Sequence, residues 1–155
     1  MLATSPKTAT IRAATVLDVP SIIDLFCAMR EEGFWKHIPV ENNTPFMGIL
    51  LTHRMLTNPY SHVVVAEDDG QIVGFAGGSL DYHFLYPGVK VLTEWGLYVM
   101  PEHRWQAIAP AIMNELEQWA KSCGVKYSMG GKIVKHGGHS LILGTELVRL
   151  KIIGD

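Results

Sequence analysis

The first half of the chain carries hydrophobic residues at helical spacing. Thr15 and Asp18 have the spacing of a capping box, with Asp in place of the usual Glu, so a first helix is expected to begin after one of the two and to end near Gly33. After a polar loop, Pro45 is expected to open a second helix that ends before Pro59. The residues that define the apolar face of the first helix are Ile22, Leu25, Phe26 and Met29.

Beyond residue 60 the hydrophobic pattern changes to that of extended strands. Residues 63–67 and 72–79 flank a turn that contains Gly70, which predicts a β-hairpin. Residues 89–99 are apolar and rich in β-branched side chains, which predicts a long strand that Pro101 ends. Shorter strands are predicted at residues 10–14, 125–129 and 147–153.

A third helix is predicted between two of these strands, and Gly124 is a natural C-cap for it. The order of elements predicts an α/β (α+β) fold, in which helices flank a mixed, mostly antiparallel central sheet with one β-α-β crossover. Neither a repeat nor a linker divides the sequence, so residues 10–155 are expected to form a single domain after a flexible tail, residues 1–9. The apolar positions on one face of the third helix are Ile108, Ile112, Leu116, Trp119 and Cys123.

Composition narrows the classes of function. The 155 residues include 48% hydrophobic and 18% charged residues, which is typical of a globular protein with one core. A net charge of −2 and an isoelectric point of about 6.4 argue against nucleic acid as the main partner. The apolar runs are too short to cross a bilayer and the first residues lack the apolar core of a signal peptide, so a cytoplasmic protein with no membrane partner is expected.

Residues 94–124 combine a strand, a polar loop and the start of the third helix. Backbone N–H groups in the first turn of a helix lack intrahelical partners, and the helix dipole favours negative charge there. Arg104 adds positive charge, and the small side chains of Ala107 and Ala109 permit a close approach, so the segment is a candidate phosphate or pyrophosphate site. The alternative is an ordinary helix N-terminus that binds only water.

The same segment resembles motif A of the GNAT superfamily of N-acetyltransferases, which reads approximately L-Y-V-x-P-E-x-R-G-K-G-I-G. The N-terminal strand and helix and the hairpin at residues 63–79 also resemble the family, so the likeness covers about the first four fifths of the chain. The matching residues of motif A are Leu97-Tyr-Val-Met-Pro-Glu-His-Arg104, Trp105-Gln-Ala-Ile-Ala109 and Trp119-Ala-Lys-Ser-Cys-Gly124.

The resemblance implies an acetyl-CoA-dependent N-acetyltransferase that moves an acetyl group directly to a primary amine of a small molecule or a protein, with no metal. Backbone groups of the strand would pair with the pantetheine arm, and a backbone N–H near Val99 would polarise the thioester carbonyl. Main-chain amides of the loop would wrap the pyrophosphate. The cofactor-binding residues implied by the resemblance are Leu97, Tyr98, Val99, Arg104, Trp105, Gln106, Ala107, Ile108 and Ala109.

Two departures from the family pattern concern catalysis. In the family's loop pattern R/Q-x-x-G-x-G/A, which begins here at Arg104, Ala107 stands at the first Gly, which predicts weaker cofactor binding because a Cβ faces the pyrophosphate. After Tyr127 the chain has no further Tyr that would protonate the leaving thiolate, as many family members do. These departures leave an alternative function, a catalytically impaired GNAT-fold module that binds acyl-CoA or another protein.

Glu94 and His139 are the candidate catalytic residues. The family often carries a Glu on this strand, so Glu94 is the candidate general base if burial raises its pKa; the alternative is a Glu that faces solvent or pairs with a Lys. His139 is a candidate for the missing acid because imidazole titrates near neutral pH, and a solvated loop is the alternative. His136 and His139 have metal-ligand spacing, but without a third ligand no metal site is predicted.

Aromatic residues from three regions are candidates for the wall of an amine pocket. Ring faces attract cations, and Glu31 and Glu32 would add negative charge. The alternatives are packing in the core and the surface of a homodimer. The residues are Phe34, Trp35, Tyr82, Phe84, Tyr86 and Trp95.

Overall fold

A six-stranded mixed sheet forms the centre of the fold. The computed structural model describes residues 9–33, 44–130, 134–136, 139–141 and 149–154. In chain order the strands are β1 (Thr10–Ala13), β2 (Ser61–Asp68), β3 (Gln71–Tyr82), β4 (Lys90–Val99), β5 (Tyr127–Gly130), β6 (Val134–His136), β7 (His139–Leu141) and β8 (Arg149–Ile152). The sheet has the order β1-β2-β3-β4-β5-β8, and all neighbours are antiparallel except β4 and β5. Strands β6 and β7 form a separate two-stranded sheet.

In the part of the chain that the structure describes, three helices flank the sheet. The first is α1 (Val19–Glu32), the second is α2 (Thr44–Leu50), which continues as a π-helical turn (Leu51–Leu56), and the third is α3 (Ile108–Ser122). Because α3 joins the parallel strands β4 and β5, it is the predicted β-α-β crossover. The predicted fold class is confirmed, as are the predicted helices and hairpin.

Each face of the sheet carries its own hydrophobic core. On one face, Ile112 and Leu116 of α3 pack on Val64 and Leu92, all of them fully buried. On the opposite face, α1 packs against Phe75. The buried residues of α3 itself are Ile108, Ile112, Leu116 and Ala120.

The sequence prediction was wrong about Cys123, which is exposed rather than packed in the core. The helix ends at Ser122, so residue 123 leaves the apolar face of α3. Val125, only 2% exposed, fills the corresponding place in the core, and Ala120 forms the last buried position on the helix.

The carboxylate of Asp18 anchors the 3-10 turn that leads into α1. A 3-10 turn follows Thr15 and leads into α1 with Asp18 as its N-cap, so both predicted start signals contribute. Asp18 accepts a hydrogen bond from the backbone N–H of Thr15 at 2.7 Å and two from the guanidinium of Arg12 at 2.8 and 2.9 Å. Arg12 also pairs with Glu67 of β2 at 2.7 Å. The bonds from Arg12 lower the pKa of Asp18 to about 2, although burial opposes the shift.

We expect Asp18→Asn to lower the free energy of unfolding by roughly 2 kcal/mol at pH 7, because Asp18 is only 7% exposed and its charge is paired. Since the folded-state pKa lies below the ordinary 3.8, this stabilisation is present above that pH and is lost as pH falls toward 2. Urea unfolding of the wild type and the variant between pH 2 and 7 measures it. The exposed Asp24→Asn is the control. A decrease in the free energy of unfolding that is the same at every pH would contradict the electrostatic explanation.

A β-bulge at Trp95 bends β4. Gly77 of β3 lies opposite Gly96 and Gly78 lies opposite Glu94, so Trp95 is the extra residue. Parallel pairing of β4 with β5 covers only residues 91–93, which face residues 127–129. A bulge bends the strand that carries it, and the pairing of β4 with β5 that the structure describes ends at the same point. We call the space beside β4 beyond Thr93, on the side of β5, the fork.

Candidate active site

The fork lies along one edge of β4. Beyond Thr93, no described strand pairs with β4 on the side of β5. The backbone N–H of Met100 donates to the carbonyl oxygen of Val73 at 2.9 Å, so Met100 points toward β3. Since backbone groups alternate in direction along a strand, those of Leu97 and Val99 point away from β3 and into the fork. An extended ligand in the fork would meet these groups as it would meet a neighbouring strand.

The N-terminus of α3 lies directly after this open edge in the chain. A 3-10 turn, Pro101–Gln106, connects the end of β4 to Ala107, and α3 begins at Ile108. The first helical backbone bond runs from the N–H of Ala111 to the carbonyl of Ala107, so the N–H groups of Ile108 and Ala109 have no intrahelical acceptor. The Ile108 side chain is 2% exposed and is anchored in the core. The backbone of this turn is thus held in place with its amides available to an anion.

Ala107 has a left-handed backbone, with φ at 54° and ψ at 25°. Glycine adopts this conformation freely, whereas a residue with a Cβ is strained in it by about 1 kcal/mol or more. The family pattern pointed to a close approach of the pyrophosphate as the reason for a glycine here. The structure adds a second reason, because the turn itself requires a left-handed residue.

Arg104 makes contacts at the mouth of the fork. Its Nε donates to the carbonyl oxygen of Val99 at 2.9 Å, and its Nη2 lies 2.7 Å from Oε2 of Glu32 at the end of α1. The guanidinium also lies over the ring of Tyr98, 5.4 Å from the centroid. Arg104 therefore reaches the strand edge and α1.

Tyr98 and Glu32 complete this cluster. The hydroxyl of Tyr98 donates to Oε1 of Glu32 at 2.5 Å, and burial together with this carboxylate raises the pKa of Tyr98 to about 12. From the sequence, Glu32 is predicted only as a source of negative charge for an amine. Its link to Arg104 spans 72 positions of the chain, and no local pattern signals such a contact.

Glu94 lies at the point where the fork opens. Its carboxylate is half-buried, and burial is the main cause that raises its pKa above the ordinary 4.5. The charge of Glu117 on α3 raises the pKa further, whereas Lys151 and a hydrogen bond from Ser128 oppose the shift. Glu94 is therefore not a fully exposed side chain, whereas the alternative of a Glu beside a Lys stays open because Lys151 acts on its charge.

For three of the remaining predicted site residues, the structure describes the backbone but not the side chain. His139 begins β7 and is the register partner of His136, in the small sheet rather than the central one. Its side chain lies outside the described part of the chain, as do the side chains of Trp105 and Gln106. Among the described residues, no group of three His, Cys, Asp or Glu side chains has a metal-binding arrangement.

The candidate aromatic residues separate into different environments. Trp95 is partly buried and its Nε1 donates to the hydroxyl of Ser79 at 3.1 Å. Tyr82, Phe84 and Tyr86 are 61%, 76% and 62% exposed, so the core interpretation is wrong for them. They lie at the far end of the β3–β4 hairpin, outside both hydrophobic cores, which leaves an amine pocket or a dimer surface as interpretations. The other two candidates, Phe34 and Trp35, lie outside the described residues.

Comparison with known proteins gives a consistent assignment. The family model described as the acetyltransferase (GNAT) family matches residues 22–134. No curated protein matches the chain by sequence. No helix in the described ranges is long and apolar enough to span a membrane.

Solved structures of similar fold include three bacterial acetyltransferases. An acetyltransferase from Vibrio fischeri is 26% identical, with 77% of this chain and 92% of that chain covered at a TM-score of 0.60. A predicted acetyltransferase with acetyl-CoA from Clostridium acetobutylicum is 17% identical, with 78% and 79% covered at a TM-score of 0.64. An aminoglycoside antibiotic 6′-N-acetyltransferase from Acinetobacter baumannii is 18% identical, with 77% and 76% covered at a TM-score of 0.61.

Proposed function

Because the chain belongs to the GNAT acetyltransferase family and is an acyltransferase, we propose that it transfers an acetyl group from acetyl-CoA directly to a primary amine of a small molecule or a protein. One arrangement supports the proposal: Glu94, the edge of β4 beside the fork and the N-terminus of α3 follow one another along the chain. The aminoglycoside acetyltransferase among the similar structures supports an amine as acceptor.

Acetyl-CoA supplies an acetyl group activated as a thioester, and the fork has the groups that would hold it. The backbone of Leu97 and Val99 would pair with the pantetheine arm, and the amides of Ile108 and Ala109 would bind the pyrophosphate. Binding along β4 requires the Nε of Arg104 to share or leave the carbonyl of Val99. Arg104 would then be available to the phosphates on the same side of the fork.

Acetyl transfer needs two tasks from the protein besides binding. Glu94 would remove a proton from the ammonium form of the acceptor, and its raised pKa suits a base that works near neutral pH. The amine nitrogen would then bond to the carbonyl carbon, the carbon–sulfur bond would break as the thiolate leaves, and the nitrogen would lose its second proton, which balances protonation of the thiolate. The N–H of Val99 points into the fork and would stabilise the oxyanion formed between these two events. The group that protonates the thiolate is not assigned, and His139 stays a prediction for this role.

Acceptor-dependent release of the coenzyme A thiol tests the proposal. The purified chain is incubated with acetyl-CoA and a panel of primary amines, namely polyamines, aminoglycosides, and peptides with a free α-amine or Lys. We expect thiol release above the background hydrolysis rate with at least one class. Absence of acceptor-dependent release across the whole panel, with acetyl-CoA shown to bind, would contradict the proposal.

The strained Ala107 favours a second candidate function, a GNAT-fold module that binds acyl-CoA without efficient catalysis. Calorimetric titration with acetyl-CoA, run beside the thiol assay, separates the two. Binding with acceptor-dependent turnover supports the enzyme, and binding without turnover supports the module. The two cysteines, Cys27 and Cys123, are free thiols in the structure, which is consistent with the cytoplasmic location that we propose for either function.

A further inference from the structure

Gly130 is the last residue of β5 and lies beneath the carboxylate of Glu94. A Cβ added to Gly130 would overlap Oε2 of Glu94 and lie 2.6 Å from its Cδ. Non-bonded carbon atoms approach to about 3.5 Å, so the carboxylate would have to retreat by about 1 Å to make room. The absence of a side chain at Gly130 is thus what allows Glu94 its present position.

A second group on the same strand holds the carboxylate from the side. The hydroxyl of Ser128 is hydrogen-bonded to Glu94, and Ser128 is itself only 2% exposed. Ser128 also sits directly opposite Leu92 in the parallel pair, two positions before Glu94. A buried hydroxyl has few alternative partners, so its bond fixes the direction of the carboxylate.

Two charged side chains surround this arrangement from other elements. Glu117 reaches it from α3 and Lys151 from β8, and the two form an ion pair with Nζ and Oε1 2.5 Å apart. Glu117 is well shielded from solvent, with 14% of its side chain exposed, whereas Lys151 is 61% exposed. Ser128 from β5, Glu117 from α3 and Lys151 from β8 are thus the polar and charged groups that act on the carboxylate.

We propose that Gly130 and Ser128 form a seat on β5 that positions the Glu94 carboxylate at the opening of the fork, and that they are positioning residues for acyl transfer. This inference rests on the proposed function of Glu94 as the base. Gly130 differs from the crowded Gly77 and Gly78, where an added Cβ would meet the hydrocarbon of Trp95 or Leu92, because its neighbour is an ionisable group. The seat would require a side chain of the length of Glu at position 94 and, at the same time, no side chain at position 130.

Gly130→Ala tests the seat. We expect kcat to fall by about 100-fold, because a displacement of about 1 Å is costly for a reacting group, with the affinity for acetyl-CoA unchanged. Gly154→Ala is the matched control, since its Cβ would have only ordinary contacts at 3.8 Å. The same Gly130→Ala change in a Glu94→Ala background is expected to have no further effect on kcat. An equal loss in both backgrounds, or no loss in either, would overturn the proposal.

Ser128→Ala gives a second test, which does not depend on whether the fold accepts a larger residue at position 130. The hydrogen bond from Ser128 lowers the pKa of Glu94, so its removal is expected to move the acid limb of the kcat/KM profile to higher pH. Carboxyl-carbon NMR titration of Glu94 measures the same pKa without any acceptor. An unchanged pKa of Glu94 in both Ser128→Ala and Gly130→Ala would exclude the seat even if the enzyme is active. If these variants shift the pKa of Glu94 but the wild-type protein shows no acetyl transfer, the seat is retained and the proposed function is rejected.

Discussion

Glu94→Gln is expected to lower kcat for amine acetylation by about 100- to 1,000-fold, with acetyl-CoA affinity within about twofold of the wild type. Gln keeps the size of the side chain and its capacity to accept the bond from Ser128, but it cannot take a proton from an ammonium group. The acid limb of the wild-type kcat/KM profile should lie above pH 4.5, because the pKa of Glu94 is raised, and this limb should disappear in the variant. Steady-state kinetics between pH 5 and 9 measure both effects.

The stability of the Glu94→Gln variant separates lost chemistry from lost structure. A carboxyl group whose folded-state pKa is raised favours folding below its unfolded-state pKa, and this contribution is lost as pH rises through the folded-state value. At pH 7 the buried charge is therefore a cost, and Gln removes it. We expect the variant to unfold at the same temperature as the wild type or higher. Glu115→Gln, an exposed change of equal charge on α3, is the kinetic control, and a full-rate Glu94→Gln enzyme would exclude Glu94 as the base.

Ala107→Glu is expected to weaken acetyl-CoA binding by about 100-fold or more. A carboxylate at the N-terminus of α3 would lie against the pyrophosphate, and like charges about 4 Å apart repel by several kcal/mol at the effective dielectric constant of a protein surface. Position 107 is exposed, so the change should leave the fold intact. Calorimetric titration measures the affinity, and circular dichroism confirms the fold.

Two further variants at position 107 separate charge, bulk and backbone strain. Ala107→Gln has the bulk of Glu without its charge and should lose much less affinity. Ala107→Gly removes the strain of the left-handed residue and the Cβ together, so it should bind acetyl-CoA at least as tightly as the wild type and unfold at a higher temperature. Equal affinities for all three variants would remove the turn at 107 from the cofactor site.

Local sequence signals predicted most of the fold. The Asp69-Gly70 turn has positive φ at both residues, at 52° and 78°, which is the turn that this dipeptide favours between two strands. The capping residues before α1 likewise interact with residues a few positions away, and the apolar positions of α3 recur within one or two helical turns. Such elements are predictable because the interactions that define them join residues that are close in sequence.

The details of the candidate site depend on contacts between distant residues, and these were not predicted. The bulge at Trp95 is defined by its register against Gly77 and Gly78 of another strand. The direction of Arg104 depends on Glu32, and the pKa of Glu94 depends on residues from β5, α3 and β8. Motif A pointed to the segment that carries the candidate site, whereas no local pattern signals Ser128 or Gly130.

The fork in the sheet has a consequence for the folded protein in the absence of ligand. Unpaired strand edges invite pairing with other chains, and proteins generally cover, charge or shorten them. Here β4 lies between two strands of one sheet rather than at its rim, which makes pairing with a foreign strand less favourable. Arg104 occupies the carbonyl of Val99 with a charged side chain. The same geometry that we propose to bind the pantetheine arm would thus also disfavour pairing of this edge with other chains.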